Sequence, residues 1–200
     1  MPESLKQQFN DKIMEEIQIK NNAQLRRVRM AAMLEQEIMH YAWKELSRNR
    51  PLTAAMLEKG KGLIWDEVSQ NTQIEWSIET AQRCKDSINW NLFSRNARGE
   101  VTTPEGIEAF ADLWNWAELT ANSNVEMTIE LAEKYVGRWD WAAMSWRDWE
   151  GRDVREFYTH FIERIPVAAF KGSKLHSALR RQEVDRLWNI LAKEVEEDKE

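Results

Sequence analysis

The chain has little of what breaks helices and almost nothing that cross-links them: seven glycines, four prolines and one cysteine in 200 residues. A lone Cys84 excludes an intramolecular disulfide and suits a reducing compartment. So little glycine and proline leaves scant material for turns, and with many long polar side chains this points to helix. No run of about 18 apolar residues is present to span a bilayer, and the opening "MPESLKQQFNDK" lacks the apolar core of a signal peptide. A cytoplasmic location is the resulting expectation. Neither sign of charge dominates. A net charge of −6 argues against a protein whose main partner is a nucleic-acid backbone, and it is too mild for a DNA mimic. With 42% hydrophobic and 31% charged residues, the composition is that of one folded domain.

What the chain has in excess is tryptophan, eleven in all. Five of them, Trp43, Trp65, Trp90, Trp116 and Trp141, follow one another at gaps of 22, 25, 26 and 25 residues and anchor an internal repeat. Three positions after each anchor stands a hydrophobe (Leu46, Val68, Phe93, Leu119, Met144), and four after it a hydroxyl (Ser47, Ser69, Ser94, Thr120, Ser145). Six after it stands Asn49, Asn71, Asn96 or Asn122, until the fifth copy departs with Arg147. A degenerate sixth copy begins at Val167, with Phe170 in the hydrophobe slot and Lys171 in place of the hydroxyl.

A Trp and a hydrophobe three apart share one face of a helical turn, and the Ser and Asn that follow suit the end of that turn. Ten to thirteen residues past the anchors come Thr53, Ser77, Thr103, Thr128 and Asp153, all good N-cap types. Thr103-Pro104-Glu105 adds a proline at the first helical position. Each unit thus reads as a short Trp-bearing helix, a polar turn and a second helix. Such a unit cannot bury its Trp alone, so the copies are expected to stack. The expected fold is all-α, a small α-solenoid of about five 22–26-residue repeats over residues 43–166. Residues 1–42 form an N-terminal cap of one long helix, or two meeting near Asn21-Asn22, and a dimerisation surface. Residues 167–200 supply a closing helix, with Ser173 as its cap and Leu175, Leu179, Val184, Leu187, Leu191 and Val195 inside, before an acidic tail.

The copies "IEWSIETAQRCKDSINWNLFSRN" and "VEMTIELAEKYVGRWDWAAMS" resemble the Trp-rich tandem repeats of uncharacterised bacterial, phage and large-DNA-virus proteins, in which a "WDWxxLSxN" block alternates with a short helix. The resemblance covers residues 43 to about 147. It implies a repeat architecture and a phage or mobile-element origin, and it implies no activity.

The regular phase of the anchor tryptophans with a hydrophobe at +3 places them in the core. Trp114 and Trp139 each sit two residues before an anchor, so one of each pair is expected nearer the surface. "WDWAAMSWRDWEGR" gathers Trp139, Trp141, Trp146 and Trp149 beside Arg138, Arg147 and Arg152, and Trp and Arg are the residues most enriched at binding hot spots. Trp139, Trp146, Arg147, Trp149 and Arg152 are therefore the candidate partner surface, set against ordinary packing between repeats. Arg26, Arg27 and Arg29 in "QLRRVRM" are the alternative, a phosphate-contacting cluster that Glu35 and Glu37 dilute. Signals for catalysis are few. His40, His160 and His176 lack metal-ligand spacing, Cys84 has no sequence cue to a base, and "LEKGKG" lacks phosphate-loop spacing and reads as a helix end. No metal or cofactor is expected.

These signs together point to a non-enzymatic macromolecule-binding repeat protein. Its sharpest form is an inhibitor or adaptor that acts on a host protein in the host cytoplasm. A nucleic-acid binder using the basic helix and the Trp–Arg surface is the alternative, and a homodimer through the N-terminal helix a further expectation.

Overall fold

A computed structural model describes residues 3–149 and 154–197. It divides into two compact units, Met1–Leu46 and Ser47–Glu200. Among the described residues the secondary structure is twelve α-helices and one 3-10 turn, with no strand beyond an isolated bridge between Trp76 and Gly99.

The first unit is a single helix. α1 (Glu3–Asn49) runs unbroken through Asn21-Asn22, so the one-helix form of the expectation holds. Its middle and end expose Met14, Ile17, Leu25, Val28, Ile38 and Met39.

The second unit alternates two kinds of short helix. The Trp helices are α3 (Trp65–Val68), α5 (Trp90–Asn96), α7 (Trp116–Ala121) and α9 (Trp141–Met144). Between them lie α2 (Ala54–Lys59), α4 (Ile78–Cys84), α6 (Pro104–Ala109), α8 (Ile129–Lys134) and α10 (Arg155–Phe161). The degenerate sixth copy forms α11 (Val167–Phe170), and α12 (Lys174–Glu197) follows. α5 packs on α7, α7 on α9 and α9 on α11, which is the stacking of successive copies that the repeat requires.

Local chemistry sets the helix ends. Thr53, Ser77, Thr103 and Thr128 each accept a hydrogen bond from the backbone N–H three residues on, at 3.1–3.4 Å. Asp153, the fifth expected cap, lies outside the described residues. A second set of caps stands directly before the Trp helices: Asn89, Asn115 and Asp140 accept from Leu92, Glu118 and both Ala142 and Ala143. The "LEKGKG" stretch closes α2, where the Gly60 N–H reaches Met56 O.

The core inverts one expectation. In the later copies the residues two before an anchor, Ile88, Trp114, Trp139 and Ile165, are buried, whereas Trp65, Trp90, Trp116 and Trp141 are half-buried and packed against the core. The anchors sit at the rim with their indole N–H groups satisfied by the backbone. Trp90, Trp116 and Trp141 each donate to the carbonyl five residues back, on Lys85, Ala111 and Val136, at 3.0–3.1 Å. Each preceding anchor then packs on the next −2 residue: Trp90 meets Trp114 edge-on at 5.0 Å, and Trp116 meets Trp139 at 4.8 Å.

Candidate functional site

The hydroxyl and Asn slots, read from sequence as punctuation of a turn, tie one copy to the next. All five hydroxyl residues are buried. Ser69, Ser94 and Thr120 donate to the carbonyl of their own anchor Trp at 2.6–2.7 Å. The same oxygens accept from the residue that caps the following Trp helix: Asn89 N–H on Ser69 at 3.0 Å, Asn115 N–H on Ser94 at 2.9 Å, Asp140 N–H on Thr120 at 3.1 Å. Ser47 begins the series by accepting from Ile64 N–H at 3.0 Å. That N–H lies just before its helix and has no helical acceptor of its own, so a buried hydroxyl with one hydrogen and free lone pairs suits both roles. The series stops at Ser145 for a chemical reason. The next helix begins after Pro166, which has no N–H to give.

The Asn slot reaches backward. Asn71 donates to Ser47 O and Arg50 O, both at 2.8 Å, and Asn122 to Ser94 O and Ala97 O at 3.0 and 2.9 Å. Arg147 fills the same slot and does the same task with a longer arm. It donates to Thr120 O, Asn122 O and Val125 O at 2.8, 2.7 and 2.9 Å. Asn96 is the exception, turning to its own helix at Leu92 O while Arg98 takes the inter-copy carbonyl of Thr72.

The expected partner surface is therefore divided. Trp139, Arg147 and Trp149 are interior: Trp139 meets Trp116 edge-on, Trp149 packs on Phe157 at 4.9 Å, and Arg147 spans two copies. They lie inward because each has a buried acceptor or aromatic partner that the sequence does not display. Arg152 lies outside the described residues. Trp146 is the one that reaches the surface, 55% exposed. It lines a cleft of about 320 Å³ with Asp148, Trp149, Ser173, Lys174, Ser177 and Arg181.

Beyond that cleft α12 departs from the sequence expectation. Val184, Leu187 and Leu191, expected inside, are exposed, and Trp188 is 71% exposed; Val195, also expected inside, lies outside the residues whose side chains are described. Leu175 and Ala178 near the start of the helix are buried, and Ser173 caps it through His176 N–H at 3.2 Å. Lys174, Ser177, Arg181, Val184, Trp188 and Leu191 recur at three- and four-residue steps and so share one face. From Val184 to Lys193 every residue of α12 is exposed, so no face of the helix is covered there whatever the phase of its pattern.

Arg26, Arg27 and Arg29 are exposed on α1, where helical steps of about 100° turn them to different sides. Residues 3–46 carry seven basic and seven acidic side chains, but no acidic one lies between Glu16 and Glu35. His160 pairs with Glu133 across copies at the surface, and His176 packs edge-on to Phe170. The Cys84 thiol is pushed up first by burial and then by the Glu58 carboxylate. Among the described residues no three His, Cys, Asp or Glu side chains stand close enough to hold a metal ion, and no helix is long and apolar enough to cross a membrane.

The fold and these surfaces define an all-α, Trp-anchored repeat protein with exposed aromatic faces outside its core. Comparison with protein-family models, with curated proteins and with solved structures gives no match to this chain.

Proposed function

We propose that the chain is a non-enzymatic binding protein that grips another protein along the face running from Trp146 to Trp188. The observation that supports it is two indoles exposed on one continuous stripe of the second unit, with Lys174 and Arg181 between them. Exposed Trp beside cationic side chains is the composition of interface hot spots, and a helix face of this kind suits an apolar segment that also carries acid. The sharper form is an inhibitor or adaptor of phage or mobile-element origin that acts on a host protein in the host cytoplasm. It rests on the repeat resemblance.

The test is affinity capture from host extract with the intact chain, beside Trp146→Ala and Trp188→Ala. A protein captured by the parent and lost with both variants, at unchanged melting temperature, supports the reading. Capture that is indifferent to both substitutions overturns it. Binding of an oligonucleotide at low salt that falls steeply as salt rises would favour the nucleic-acid alternative instead.

A second reading concerns the first unit, whose exposed apolar stripe favours pairing with another copy of this chain.

A further inference from the structure

We propose that α1 pairs with α1 of a second copy in antiparallel fashion, about a two-fold axis at Asn21. This rests on the reading of the first unit as a self-pairing surface and specifies its geometry.

The pattern about Asn21 is symmetric. Met14, Ile17, Asn21, Leu25 and Val28 follow at steps of three, four, four and three residues, all on one side of the helix and all exposed. Turning a second copy end over end about Asn21 sets Met14 against Val28 and Ile17 against Leu25, each contact occurring twice, as a two-fold interface requires. Asn21 then meets its own mate. An amide carries both donor and acceptor, so the two can bond reciprocally, and a single buried Asn is a known means of fixing register.

The flanks agree with the same axis. Asp11 and Arg29 lie on one edge of the stripe and face each other across the pair, while Gln18 faces Asn22. On the other edge Ile13 faces Ala31 and Lys20 faces Gln24, with Glu16 and Arg27 just outside them. Within one copy Asp11 accepts a long 3.3 Å hydrogen bond from Gln7, and this leaves room for a guanidinium. A parallel pair would instead set the basic residues 26–29 of the two copies side by side, and likewise the acidic residues 11–16, with like charges adjacent.

The antiparallel overlap spans residues 3–39, about 55 Å at roughly 1.5 Å per residue, and a face about 12 Å wide covers roughly 650 Å² per helix. That is below the roughly 800 Å² per partner of a standard interface, so the pair should dissociate on dilution.

The test uses the intact chain with Cys84→Ser as background. Sedimentation equilibrium should show a dimer. Asn21→Cys should cross-link to itself on mild oxidation, and Val28→Cys should not. A mixture of Met14→Cys and Val28→Cys should form the mixed disulfide. Arg29→Asp should weaken the dimer about tenfold, because the lost pair occurs twice, and adding Asp11→Arg should restore it. A monomer at every concentration would overturn both self-pairing and its geometry. A dimer in which Val28→Cys cross-links to itself as fast as Asn21→Cys would overturn the antiparallel register alone.

Discussion

The Ser94 hydroxyl accepts the backbone N–H of Asn115 at 2.9 Å, across 21 residues of sequence and from one repeat copy to the next. It also donates to Trp90 O at 2.6 Å in its own helix. One buried oxygen therefore fixes both the end of a helix and the start of its neighbour. Ser94→Ala leaves the Asn115 N–H unpaired and should cost about 1–3 kcal/mol. Ser94→Thr keeps both bonds, as Thr120 does in its own copy, and should cost far less. Urea unfolding of the two variants measures the difference.

Arg147 should behave as a structural residue. Arg147→Ala abandons the carbonyls of Thr120, Asn122 and Val125 in the interior and should destabilise by about 3 kcal/mol, given that bonds from a charged donor are worth about 1.5–3 kcal/mol. Arg147→Asn restores the side chain used at Asn71 and Asn122 and should recover part of the loss. Melting temperatures of the two variants check the order.

The tryptophans should separate into two groups. Trp139→Ala and Trp149→Ala each open a cavity in the core and should cost about 3–5 kcal/mol. Trp146→Ala and Trp188→Ala remove exposed rings and should stay within about 0.5 kcal/mol of the parent. Denaturant midpoints for the four variants decide it. Trp146 and Trp149, grouped together from sequence, should fall on opposite sides.

Gly99 has φ of +89°, and a Cβ there would stand 2.7 Å from Trp76 O and 2.8 Å from Trp76 N. Gly99→Ala should therefore destabilise by at least the roughly 1–3 kcal/mol of a strained backbone. Gly137, whose added Cβ would meet nothing within 4 Å, supplies the control for the same urea titration.

Cys84 gives a pH-dependent readout. Its thiol is raised above the ordinary value by burial, so the folded state holds the proton more tightly than the unfolded one. Its contribution to stability is present in full below the ordinary thiol range and is lost as pH rises through the raised folded value. A stability–pH curve for the parent should thus fall faster above that range than the curve for Cys84→Ala. Modification by a thiol reagent at neutral pH should be slow in buffer and fast in urea.

The repeat was legible because Trp and a hydrophobe three residues apart form a helical face whatever lies around them. Four helix caps were legible for the same local reason. The roles of Ser94 and Asn122 were not, because their partners sit in the adjoining copy and a sequence displays only chain neighbours. Arg147 misled in an instructive way. A break in a repeat resembles a functional change, yet here a longer side chain reaches the matching carbonyl of Thr120 and two others of the preceding copy. The stripe on α12 was visible as a pattern, but periodicity gives the phase of a face and not what covers it, and Val184, Leu187 and Leu191 are exposed.

The linkage of copies through their hydroxyls is tested most directly by amide hydrogen exchange at Ile64, Asn89, Asn115 and Asp140. In the parent these four amides should be protected as strongly as those inside the neighbouring helices, and Ser94→Ala should release Asn115 selectively. Exchange at Asn115 in the parent as fast as in an exposed loop would contradict it.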